Sequence, residues 1–216
     1  MGRATREEHP LTAVVTHFVH SVALITLVFT GFFIHSPFYS GSMQTNRTVH
    51  LIAAWILIST GVIRFYWAFF GRGSAPTGSR RKMPDYIFFL PQKENRGKTL
   101  ESLKFHLFLR RTHPRTLKYN PLQKGTYAVL FLLSIIQIIT GFEQWTPTLA
   151  FFSPLTYALG GPIIVRIIHY IVAWLFIVII VLHSYLVLIE ARPELPLMFF
   201  YREPREVTMS DGGEER

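Results

Sequence analysis

Apolar residues run almost unbroken through four stretches, Ala13 to Ile34, Val49 to Phe70, Leu122 to Phe142 and Ile163 to Ile189. Each holds about 20 residues or more, enough at 1.5 Å per helical residue to cross the roughly 30 Å of hydrocarbon in a bilayer. The pattern predicts an all-α integral membrane protein, one four-transmembrane-helix bundle over residues 1–200, with a polar, partly disordered tail at 201–216. The first stretch is long for a signal-peptide core and lacks a small-residue cleavage site, so it is expected to stay as a transmembrane helix.

The polar connections set the expected orientation. Residues 37–46 carry no charge and residues 143–165 carry only the acid Glu143, whereas the connection 71–121 holds more than half of the chain's 22 Lys and Arg. By the positive-inside rule that long connection is cytoplasmic, and both termini with it. Within it, Arg80-Arg81-Lys82 suits anionic lipid, and Leu100, Leu103 and Leu107 recur at the spacing of an interfacial amphipathic helix. His106 and His113 read there as solvated residues without chemistry.

Composition sharpens this picture in two places. Charged residues make up 16% of the chain, against roughly 25% in soluble domains, and the net charge of +9 follows from the topology, so no nucleic-acid partner is expected. The chain has no cysteine. That removes thiolate zinc sites, cysteine-ligated iron–sulfur clusters and covalent haem attachment, and leaves histidine as the means of holding a metal.

Ionisable side chains inside spans are costly and usually functional. His169 and His183 stand fourteen residues apart in the fourth span. Nearly four turns separate them, so both leave one face about 21 Å apart. With helix directions alternating, His50 and His169 fall near the outer ends of the second and fourth spans, and His183 falls near an inner end with either His17 or His20 of the first. Two levels of paired imidazoles suit two haems with axial ligands from facing helices. A zinc or copper site would instead gather three or four ligands at one depth, and a proton relay would need a continuous chain.

Further residues fit the haem reading. Arg47 and Arg166, each three residues before an outer histidine, are placed for the propionates of an outer haem. Arg64 either serves the inner haem in the same way or snorkels to the headgroups. Thr30-Gly31-Phe32 and Thr140-Gly141-Phe142 end the first and third spans, where small residues admit a planar group or a close helix. Asn120-Pro121 reads as the cap and first turn of the third helix.

Taken in order, the chain carries Thr30-Gly31, Arg47-x-x-His50, Arg64-Phe65-Tyr66-Trp67-Ala68-Phe69 followed by Gly71, Phe108-Leu109 and Tyr119-Asn120-Pro121-Leu122. Ile139-Thr140-Gly141-Phe142, Arg166-x-x-His169 and His183-x-Tyr185 follow. From about His17 to Tyr201 this resembles the cytochrome b subunits of membrane-bound nickel–iron hydrogenases, and more broadly those of formate dehydrogenases. The resemblance implies two b-type haems, the inner on His17 and His183 and the outer on His50 and His169. His17 is selected over His20 because the first ligand of that family stands fourteen residues before the Thr-Gly glycine. A quinone site beside the inner haem is also implied, with Asn120 and Gln123 matching a position that helps form it in the formate dehydrogenase relatives. The chain departs from the family at Val14, where members usually carry an arginine.

The function so implied is electron transfer from a periplasmic hydrogenase, through its iron–sulfur small subunit beside the catalytic large subunit, to menaquinone or ubiquinone in a bacterial or archaeal cytoplasmic membrane. The chain would be a conductor and not the substrate-oxidising subunit. The alternatives are a formate dehydrogenase cytochrome b and, from another class, a haem-free membrane anchor, which leaves the two histidine levels unexplained.

Overall fold

The computed structural model describes residues 11–71, 86–89, 100–101, 103–104, 109, 121–190, 195–200 and 202. Asn120, the Arg80-Arg81-Lys82 cluster, His106, His113 and the tail beyond 202 lie outside the described residues, as does the side chain of Gln123. Among the described residues all regular structure is helical. The main helices are α1 (Leu11–His35), α2 (Met43–Phe70), α3 (Pro121–Phe142), α4 (Leu149–Ala158), α5 (Pro162–Glu190) and α6 (Leu195–Phe200).

This is a multi-pass membrane protein with three to four spans. α1, α2 and residues 162–189 of α5 are each long and apolar enough to cross a bilayer. Residues 128–142 of α3 pass the same test when joined to residues 146–158, from which they bend by 86°. Large apolar side chains such as Ile25, Val62, Ile163 and Val181 are more than 60% exposed on the isolated chain, as a hydrocarbon-facing surface requires.

The helices divide into two units, residues 1–87 with 191–216 and residues 88–190. In the first, α1 and α2 form an antiparallel pair whose buried positions are mostly small, Ala13, Thr16, Ala23, Thr30 and Ala53, so the backbones approach closely. Hydroxyls are tolerated in these apolar helices because they bond back to carbonyls of the preceding turn, as Thr16 does to Thr12 at 2.7 Å and Thr26 to Val22 at 2.9 Å. α2 begins at Met43, six residues before its continuous apolar run. Ser42 caps it by accepting from the Thr45 N–H, and Tyr39 donates to Asn46 Oδ1 at 2.8 Å while its ring packs 4.3 Å from that of buried Phe33. Arg47 and His50 therefore stand on formed helix. α6 lies against α1, with Leu197 fully buried.

In the second unit α3 and α5 pair, and α4 lies in the connection between them. Glu143, 2% exposed, accepts a 2.8 Å hydrogen bond from Thr156 of α4 through Oε2. Gly160 and Gly161, at φ 105° and 96°, make a turn that side-chain-bearing residues adopt only with strain, and Pro162 then opens α5.

Candidate functional site

Two of the predicted ligands occupy the same local construction. In the first unit His50 of α2 faces Thr30 and Gly31 of α1, with Nδ1 2.9 Å from Thr30 Oγ1. The hydroxyl proton of Thr30 is already directed at carbonyls of its own helix, Thr26 at 2.7 Å and Leu27 at 3.3 Å. Thr30 therefore accepts from the imidazole: Nδ1 carries the ring proton and Nε2 keeps its lone pair. A Cβ at Gly31 would stand 3.4 Å from His50 Cε1, in ordinary contact, so the glycine leaves room beside the ring that a larger side chain would fill.

His169 of α5 repeats this in the second unit. Its Nδ1 lies 2.9 Å from Thr140 Oγ1, whose proton goes to the Ile136 carbonyl at 2.7 Å or that of Gln137 at 3.3 Å. A Cβ at Gly141 would stand 3.5 Å from His169 Cε1. Donation of the second ring N–H to a fixed oxygen is how proteins set the tautomer and orientation of metal-ligating histidines. Both imidazoles are thus held with Nδ1 engaged and the lone pair on Nε2, each with a glycine alongside.

A third copy was not legible as such in the sequence. Thr60-Gly61 of α2 receives His20 of α1, with Oγ1 to Nδ1 at 2.9 Å and the Thr60 proton on the Ile56 carbonyl at 2.8 Å. The Thr16 carbonyl is a further acceptor for the same Nδ1 at 3.2 Å. The ring is turned, however: the atom nearest a Cβ at Gly61 is Nε2, at 3.9 Å, where the other two copies place Cε1. His20 thus brings Nε2, and not Cε1, nearest to Gly61. Its pairing with Thr60, and that of Thr30 with His50, fix one antiparallel register between α1 and α2.

Depth separates His17 from His20. Counted along α1, His17 stands thirteen residues inward of Thr30 and His20 ten, or about 20 and 15 Å. His183 stands fourteen residues from His169 along α5, about 21 Å. His17 is half-buried, with the Phe199 ring edge-on at 6.2 Å, and His183 is half-buried on α5. Arg47, Arg64 and Arg166 are all exposed, and the charge of Arg64 reaches His20. His17 and His50 belong to one unit, His169 and His183 to the other. Among the described residues no group of three or more His, Asp or Glu is arranged to hold a metal ion by itself.

The sequence profile of the prokaryotic cytochrome b561 family matches residues 8–200. The chain belongs to that family. It is 26% identical over 195 residues to a probable Ni/Fe-hydrogenase B-type cytochrome subunit of Rhizobium leguminosarum bv. viciae, an alignment covering 82% of this chain and 77% of the relative. A probable Ni/Fe-hydrogenase 1 B-type cytochrome subunit of Escherichia coli strain K12 is 24% identical over 193 residues, covering 82% and 79%. The F420 non-reducing hydrogenase II cytochrome subunit of Methanosarcina mazei is 24% identical over 200 residues, covering 82% and 74%.

Membership implies b-type haem, and the residues present fit it. Haem b needs axial imidazole nitrogens bearing a lone pair and an uncrowded planar slot. The Thr30/His50 and Thr140/His169 pairs supply the first, each with its Nδ1 engaged and its Nε2 lone pair kept, and at His169 the Gln137 amide stands on that lone pair at 3.0 Å. The threonines and Gln137, which contacts His169 Nε2, are the site residues that reading the sequence missed; the repeated Thr-Gly-Phe was the available signal.

Proposed function

We propose that this chain is the membrane cytochrome b subunit that carries electrons from a periplasmic nickel–iron hydrogenase, through its iron–sulfur small subunit beside the catalytic large subunit, to menaquinone or ubiquinone in a bacterial or archaeal cytoplasmic membrane. The observation that supports it most is the twin cradle: two histidines in separate units held in one tautomer by one device. His50 and His169 would hold the outer of two haems. His17 and His183 would hold the inner one, while His20 meets Thr60 of the neighbouring helix.

A b-type haem supplies reversible one-electron chemistry when bound. The chain's own part is to hold it. Thr30 and Thr140 keep Nδ1–H engaged, so that Nε2 would be the nitrogen that holds the iron, and Gly31 and Gly141 leave room beside the two rings. Arg47 and Arg166 would neutralise the outer propionates at the membrane surface, and Arg64 the inner ones. Asn120 and Gln123 are the proposed quinone contacts. Both termini would be cytoplasmic. Moving charge inward across the membrane would be worth about 2.3 kcal/mol per charge for each 100 mV.

The test is a reduced-minus-oxidised spectrum with a pyridine haemochrome count, on the purified protein and on the alanine variants of His17, His50, His169 and His183. About two b-type haems are expected, with His50 and His169 variants losing one of them and His17 and His183 variants losing the other. A helical, monodisperse preparation without haem would refute the proposal in favour of a haem-free anchor. Co-purification with a formate-oxidising partner in place of a hydrogen-oxidising one would select the formate dehydrogenase reading.

A further inference from the structure

We propose that Gln137 is a built-in competitor for the metal position on His169, making the haem held there more exchangeable than it would be with an apolar residue at 137. The inference rests on the reading of His169 as an axial ligand. Gln137 lies one turn before Thr140 on α3, and its side-chain nitrogen is 3.0 Å from His169 Nε2, on the side of the ring opposite the Thr140 contact. The identity of the amide atom follows from the cradle. Thr140 gives its own proton to a carbonyl, so His169 Nδ1 is the donor and Nε2 the acceptor, which only the NH2 end of the carboxamide can satisfy. Gln137 thus donates to the same lone pair that a metal would take.

Two further observations set this residue apart. Gln137 Oε1 is buried and has no hydrogen-bond partner among the described residues, so the polar contact of this side chain is the one to His169. In the other two Thr-Gly copies the equivalent position, three residues before the threonine, is Leu27 and Leu57, neither of which can compete for a lone pair. The His50 cradle has the tautomer-setting half of the device alone, and the His169 cradle has a competitor as well.

A competing hydrogen bond acts on the ligand-free histidine. Whenever the bond between Nε2 and the metal opens, the amide captures the lone pair and rebinding must displace it, so apparent retention falls by the fraction of time Nε2 is captured. A single net hydrogen bond corresponds to a factor of roughly two to ten.

The experiment follows transfer of haem from the detergent-solubilised ferric holoprotein to apomyoglobin by its Soret band. The phase belonging to the outer haem is the one missing in His169→Ala. Gln137→Leu, which installs the residue of the other two copies, is expected to slow that phase about two- to tenfold and leave the inner phase unchanged. Gln137→Met, closer in shape, should do the same, and Leu27→Gln should speed the outer phase by placing a carboxamide beside His50. An outer phase that is unchanged or faster in both Gln137 variants overturns the proposal. Failure of the underlying reading looks different: His169→Ala would then keep both haems.

Discussion

Replacing Thr30 by valine keeps the shape of the side chain and removes the hydroxyl oxygen that His50 Nδ1–H meets at 2.9 Å. With that acceptor gone the imidazole loses the polarisation that makes Nε2 a stronger donor, and the oxidised iron, which gains more from a strong donor, is stabilised less. The bond is a neutral, partly buried one, worth about 0.5–1.5 kcal/mol net. If that whole amount is differential, a one-electron couple at about 59 mV per 1.4 kcal/mol rises by roughly 20–60 mV. Thr140→Val removes the matching bond of His169 and should give a rise of the same size. The double variant decides the pairing. If His50 and His169 share one haem, one potential rises by about the sum of the two single effects and the other stays put. Potentiometric titration of the purified protein, following the two b-haem absorbances, measures all three variants. One threonine shifting one haem and the second threonine shifting the other would refute the assignment of both cradles to a single outer haem, and a fall in potential would refute the donor-strength argument.

Three other outcomes are expected. Gly31→Ala and Gly141→Ala should retain the outer haem, since a Cβ meets the imidazole at 3.4 and 3.5 Å in ordinary contact, whereas valine at either position should lose it through its added γ-carbons, as a haemochrome count will tell. His20→Ala and Thr60→Val should keep both haems and both potentials while lowering thermal stability by about 1–3 kcal/mol, because the bond they break joins α1 to α2 and leaves a polar partner behind; loss of a haem in His20→Ala would make it a ligand in place of His17. Thr156→Val strips the buried Glu143 carboxylate of its hydrogen bond and should destabilise by about 1–3 kcal/mol or more, while Glu143→Gln, which keeps an acceptor for Thr156, should be close to neutral in a thermal unfolding assay.

Much was readable along the chain. Runs of apolar residues long enough to cross hydrocarbon have few alternatives to helix, because an unpaired backbone in lipid is too costly, and the charge asymmetry of the connections is a property of the sequence itself. The histidines stood out for the same reason, and Thr-Gly-Phe recurred visibly at positions 30–32 and 140–142. The start of α2 was not legible from hydropathy, because Ser42, Tyr39 and Asn46 set it through a cap and a side-chain bond that transfer energies do not register.

The cradles needed three dimensions. Which threonine meets which histidine depends on the register of one helix against its neighbour, and small buried residues such as Ala23 and Ala53 let the two backbones come close enough for those pairs to form. Helix rotation separates the third copy from the other two: His20 carries the same Thr-Gly partner yet brings Nε2, and not Cε1, nearest to the glycine, a difference of ring orientation that no spacing rule contains. The sequence by itself supplies the candidate ligands and their depth along each span, because rise per residue is fixed. Tautomer, the room beside each ring and the amide of Gln137 on His169 come from side chains meeting across helices, where a shift of one position would replace each hydrogen bond with an apolar contact.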